Sequence, residues 1–217
     1  MNVILTSDFP STAVPAVVAR LKAQGPNPRV AWIAPFSEGA PARFALAQAR
    51  FAEFGIQHLE YCDIDQEPDD VQLAYLGEYD VVYLSGGDPV RFRYNMLRTG
   101  AGGRVGHCIR AGRLVVAASG GSLQLTPNVS IVRLQTEPLE DVIATRGAYN
   151  GLGAVPYEFL PHVNRCTDQF LEKVRAYSEH VDHEIVGLAD GGAIVHDTPE
   201  RYEPVGDVVR FRQGVRA

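Results

Sequence analysis

Apolar runs of strand length alternate along the first half of the chain with segments whose apolar residues recur three and four positions apart. NVILTS at 2–7, RVAWIAP at 29–35, QHLEYCDI at 57–64, DVVYLSGG at 80–87 and RLVVAAS at 113–119 read as five strands. Between them, TAVPAVVARLKAQG ends at Gly25 and PARFALAQARFAEFG at Gly55, each a helix with a glycine stop. DDVQLAYLGEY, VRFRYNMLRTG and GRVGHCIRAG supply three further helices. This alternation predicts an α/β fold, a parallel sheet with helices on both faces.

The second half changes character. Residues 128–164 read as mostly extended, with many turn residues. TDQFLEKVRAYSEHV, from Thr167, is one more amphipathic helix. The tail from Glu184 to Gly214 carries three short strands broken by DGG and VGD turns, in the manner of an antiparallel meander. No linker, repeat or low-complexity stretch interrupts the pattern. A single domain over 1–217, with a β-rich C-terminal part, is the simplest account.

Composition narrows the function classes. Hydrophobic residues make up 46% of the 217 and charged ones 21%, enough to bury a core without metals or disulfides. The net charge is −6 and no basic block stands out, which argues against nucleic acid as a partner. Cys62, Cys108 and Cys166 form no C-x-x-C pair, so neither a metal site nor a disulfide framework is indicated, and the expected compartment is the reducing cytoplasm. The first residues lack a basic segment followed by an apolar core, so no signal peptide is expected. No apolar run approaches the roughly 20 residues of a membrane span.

The chemistry concentrates at LVVAASGGSLQL, residues 114–125. Reactive groups in open parallel sheets gather at the C-terminal ends of strands. Ser119 sits there, between a strand and a probable helix whose N-terminus favours developing negative charge. A nucleophile elbow needs small residues two before and two after the serine, and Ala117 and Gly121 meet that need. Ser122 fails it, because Gln124 follows two residues later. An N-cap serine in a glycine-rich turn is the competing reading. In YLSGGDP, Gly86 and Gly87 end another strand, where a backbone N–H can turn toward an oxyanion; Gly120 would supply a second donor. Of the histidines, His162 in FLPHVN is best placed, at the end of a predicted strand. His58, His107, His180, His183 and His196 lie on helices, in a strand or near turns without such neighbours. GAGGRVG follows a helix rather than a strand, so a dinucleotide site is not supported.

YLSGGDP, then VVAASGGS, then GLGAVPYEFLPHVN resemble, in that order, the peptidase E (aspartyl dipeptidase) and cyanophycinase family of serine peptidases. The resemblance covers nearly the whole chain and implies a fold similar to class I glutamine amidotransferases. It places Ser119 on the elbow serine, Gly87 on the oxyanion glycine and His162 on the catalytic histidine. It implies the order serine, acid, histidine, with Glu137 in LQTEPLED as the acid and Glu140 and Asp141 as alternatives. It also implies a small-peptide substrate, no cofactor, and a monomer or homodimer. Ala117 and Gly120 depart from the family elbow but remain small. The segment after His162 lacks the G-E-T-R-like stretch of aspartyl dipeptidases, which implies activity without strict Asp-X specificity. Arg165 and Arg91 are then the candidate substrate-binding cations. Two other readings stand beside this one. An amidotransferase-like activity would normally need a cysteine nucleophile, which the elbow lacks. A binding protein that kept the fold and lost activity is permitted by the altered elbow.

Overall fold

The computed structural model describes every residue except 10, 36 and 66–69, and the side chains of 70 and 71 are left aside with them. The five sequence-predicted strands form β1 (Val3–Thr6), β2 (Val30–Ile33), β3 (Leu59–Cys62), β4 (Val81–Leu84) and β5 (Leu114–Ala118). All five are parallel in a seven-stranded sheet of order β3-β2-β4-β5-β1-β8-β9. Strands β8 (Ala193–His196) and β9 (Tyr202–Val205) extend the β1 edge antiparallel.

Strand alternation explains why both faces are covered. Val3 and Leu5 of β1 enter one core cluster and Ile4 the other, and Val82 and Leu84 oppose Val81 and Tyr83 in the same way. Helices α1 (Val14–Lys22) and α2 (Ala40–Glu53) cover the Ile4 face, through Val17, Leu21 and Phe51. On the Leu5 face lie α3 (Asp70–Ala74), α4 (Pro89–Arg98) and α5 (Ala101–Arg110), anchored by Phe92, Met96 and Val105. Fully burying one such side chain contributes about 1.5–3 kcal/mol.

Two expectations need correction. The tail is not one meander. β8 and β9 join the main sheet, whereas β7 (Ile185–Leu188), β10 (Val208–Arg212) and β11 (Val215–Arg216) form a second sheet with β6 (Glu158–Leu160), of order β11-β10-β7-β6. The stretch from Ser130 to Tyr149 is not extended. It folds into 3-10 turns at Ser130–Gln135 and Arg146–Tyr149 around α7 (Leu139–Thr145). Pro138 precedes α7, and Glu140 and Asp141 in its first turn favour a helix start.

The second sheet is tied to this helical stretch through one buried carboxylate. Glu158 of β6 accepts from Arg146 at 2.7 Å and from the Tyr177 hydroxyl at 3.1 Å, with His183 Nε2 at 3.0 Å. Tyr177 closes α8 (Asp168–Tyr177), the helix predicted after Thr167, whose side chain caps it. β6 leads directly to His162, so this cluster fixes the approach of the chain to that residue.

His196 of β8 is fully buried in a cluster of three rings, stacked on Tyr157 and tilted against Tyr202. Its Nδ1 lies 3.2 Å from the Thr198 carbonyl and its Nε2 2.6 Å from the Tyr157 hydroxyl. The neutral tautomer with Nδ1–H satisfies both contacts, donating to Thr198 and accepting from Tyr157. Burial holds the His196 pKa below its ordinary value. The unfolded chain therefore takes up a proton that the folded chain refuses, and stability falls as pH drops through about 6.5. Urea midpoints should be lower at pH 5.5 than at pH 7.5, and His196→Gln should flatten that difference. An unchanged slope in the variant would count against the assignment.

Candidate active site

The C-terminal ends of β1, β4 and β5 lie side by side, because the strands are parallel and in register. Ser119 follows β5 with φ 49° and ψ −117°, a positive-φ conformation unusual for a non-glycine residue. The next turn is α6 (Gly120–Gln124). Its glycines are required by contact. A Cβ on Gly120 would lie 2.0 Å from the Gly87 carbonyl oxygen, and one on Gly121 would lie 2.4 Å from that of Leu84. The segment after β4 is tied to this turn by Gln124, whose Nε2 donates to the Pro89 carbonyl at 3.0 Å, and Asp88 caps α4 by accepting from the Val90 and Arg91 N–H groups at 2.8 and 3.0 Å. Among the described residues, neither the Gly87 nor the Gly120 N–H meets a protein acceptor. Both glycines line the same cavity as Ser119.

Ser119 Oγ lies 2.8 Å from His162 Nε2, and His162 Nδ1 lies 2.6 Å from Asp190 Oδ1. His162 is itself left-handed, at φ 58°. Asp190 stands in the turn between β7 and β8, where its N–H donates to Asn164 Oδ1 at 2.9 Å. Burial raises the Asp190 carboxyl, but His162, the Ser7 hydroxyl and Arg165 outweigh burial and leave its pKa below the ordinary carboxylate value. An ionised Asp190 accepts a hydrogen bond from the Nδ1–H, so Nε2 presents its lone pair to Ser119.

Glu137 does not stand behind the histidine. Its carboxylate folds back on Arg133, accepting from Nε at 2.8 Å and more closely from Nη2. The cause is local: after the 3-10 turn the Glu137 N–H bonds the Arg133 carbonyl, which sets the two side chains together. Glu140 and Asp141 are exposed on α7. The residues in contact come in the chain order Ser119, His162, Asp190, and the carboxylate beside His162 is one that sequence reading assigned to an ordinary DGG turn. A usable signal was present, since Asp190 ends the apolar run IVGLA as Ser119 ends LVVAA.

Ser122 is fully buried, its hydroxyl shared between the carbonyls of Ala117 and Thr6, at 2.9 and 3.0 Å. It anchors the elbow and faces away from the cavity. That cavity, about 490 Å³, opens at Ser119 and His162 and has apolar walls from Leu123, Val132, Leu134, Leu160 and Phe170. Arg165 lines it but is in ion-pair contact with Asp190, with Asp8 3.7 Å away. Arg91 does not line it and pairs with Asp65 at 2.8 Å. Lys173 does, its Nζ donating to the Leu134 carbonyl at 3.0 Å.

An elbow serine in hydrogen-bond contact with an imidazole is the arrangement of α/β hydrolytic enzymes. Within that class the match is to peptidase family S51, over residues 11–200, and the chain belongs to that family. It is 28% identical over 121 residues to an uncharacterized peptidase of Listeria monocytogenes, covering 52% of this chain and 58% of the relative. It is 29% identical over 102 residues to an uncharacterized peptidase of Listeria innocua, covering 47% of this chain and 48% of the relative. The matched stretch thus spans about half the length of these curated relatives. The fold is similar to that of a Listeria monocytogenes protein described as a candidate peptidase E, with a TM-score of 0.69 at 22% identity, over 94% of this chain and 96% of that one. It is also similar to a peptidase from an acI-B1 Actinobacterium, with a TM-score of 0.73 at 16% identity, over 99% and 93%. Among the described residues, no helix is long and apolar enough to cross a membrane.

The strain at Ser119 makes a stability prediction. Glycine adopts this conformation freely, so Ser119→Gly should raise stability by about 1 kcal/mol, after its own entropic cost, in urea melts. A destabilised Ser119→Gly would mean that the turn is not strained.

Proposed function

We propose that this chain is a serine peptidase of short peptides, of dipeptidase or exopeptidase type, acting through Ser119, His162 and Asp190. The observation that carries the reading is the 2.8 Å contact between the elbow serine and Nε2 of a histidine backed by an ionised carboxylate. Ser119 Oγ attacks the scissile carbonyl while His162 Nε2 takes its proton, and the imidazolium is stabilised by Asp190. The oxyanion is held by the N–H groups of Gly87 and Gly120, free of protein acceptors among the described residues. The imidazolium then protonates the leaving amine, and water releases the acyl group by the same steps in reverse order. This relay argues against a non-catalytic binding protein. Three free cysteines fit a cytoplasmic setting.

Ser119→Ala should abolish hydrolysis with the fold intact, and Ser122→Ala should retain substantial turnover. Asp190→Asn should cost about 10⁴-fold in kcat, the penalty of a wrongly set tautomer. Glu137→Gln should be nearly silent. Steady-state assays of the four variants decide the assignment; a severe Glu137→Gln loss with an active Asp190→Asn would reverse it.

Specificity follows from the cavity. Arg165 is engaged by Asp190, Arg91 by Asp65, and the walls are mostly apolar. An acidic substrate group has the single Lys173 ammonium to meet it there, and no guanidinium fork. Peptides beginning with uncharged residues should therefore be cleaved, without an absolute demand for N-terminal Asp. A dipeptide and tripeptide library, with Ser119→Ala as blank, tests this. Hydrolysis confined to Asp-X dipeptides would mean that a cation such as Lys173 reaches the substrate.

A further inference from the structure

Ser7 follows β1 and is fully buried, one residue beyond the pairing of Thr6 with Ala118. The backbone at this point already supports the elbow, because the Thr6 carbonyl accepts the Ser119 N–H at 2.9 Å. The Ser7 side chain does the same for the other two members of the relay. Its Oγ accepts the His162 N–H at 2.6 Å and donates to Asp190 Oδ1 at 3.1 Å. His162 Nδ1 is 3.4 Å away, and its N–H donates to Asp190 Oδ1 at 2.6 Å. A hydroxyl has one proton and two lone pairs, so both bonds can be made at once.

We propose that Ser7 is a positioning residue for the relay: its hydroxyl fixes the left-handed His162 backbone and holds the Asp190 carboxylate on Nδ1 in a single stroke. The inference rests on the proposed peptidase reading and deepens it. Left-handed backbone at a residue that is not glycine persists only where the surroundings over-determine it. The 2.6 Å bond to the His162 N–H is a direct restraint of that kind. The bond to Oδ1 leaves that oxygen shared by two donors, which limits rotation of the carboxylate about its Cβ–Cγ bond.

The test compares Ser7→Ala, the near-isosteric Ser7→Cys and the hydroxyl-retaining Ser7→Thr with the wild type. Turnover is expressed per active site, counted by covalent serine titration, on the best library peptide. The downfield Nδ1–H proton resonance of His162 is recorded on each protein, with Asp190→Asn to assign it. Ser7→Ala and Ser7→Cys should lose about 10- to 100-fold in kcat, the scale of a small misplacement of a reacting group, with KM unchanged. Their Nδ1–H resonance should broaden or shift, and Ser7→Thr should recover both. Fewer titratable sites with wild-type turnover at each, and an unshifted resonance, would reduce Ser7 to a structural role and overturn the proposal. Should the wild type cleave no peptide, the peptidase reading fails by itself, and the Nδ1–H resonance still decides whether Ser7 holds His162.

Discussion

The site depends on a contact between two stretches of backbone. The turn after β5 presses against the loop after β4, so closely that a methyl group on either Gly120 or Gly121 would occupy the space of a carbonyl oxygen. That approach forces Ser119 out of ordinary helical or extended geometry and lifts its side chain above the strand ends. It also brings Gly87 beside Gly120, so one packing event fixes Ser119 and frames the two N–H groups. The cost is borne by the sheet beneath, where β4, β5 and β1 are buried on both faces.

Local features of this arrangement could be read from sequence, and distributed ones could not. Ser119 announces itself through Ala117, Gly120 and Gly121, because an elbow is a property of five consecutive residues. The parallel strands are equally legible, since each is an unbroken apolar run between turn residues. The carboxylate is different. Asp190 meets His162 only because β7 pairs with β6 in one sheet while β8 joins β1 in the other. No spacing rule encodes that crossing, and an aspartate before two glycines has a sufficient explanation as a turn. Glu137 was the acid the resemblance implied, yet Arg133 four residues earlier claims it. Residues 130–149 misled for a related reason: β-branched residues such as Ile131, Val132, Val142 and Ile143 favour extended chain locally, and packing into the core overrides that preference.

The charges near the cavity follow the same logic of competition. Arg165 is near the histidine in sequence and in space, but Asp190 and Asp8 engage its guanidinium first. It thereby contributes to the depressed pKa of Asp190 rather than presenting a fork to a ligand. A cation near a site is thus defined by what already holds it, as much as by where it stands.

The sheet order carries a consequence for synthesis on the ribosome. β1 lies between β5 and β8, and the turn preceding β8 bears Asp190. A growing chain that has not yet delivered β8 can shape the elbow, but its histidine has no carboxylate behind it. On the proposed reading, a nascent chain that ends before Asp190 shows its serine to the polypeptides emerging around it before the histidine is backed.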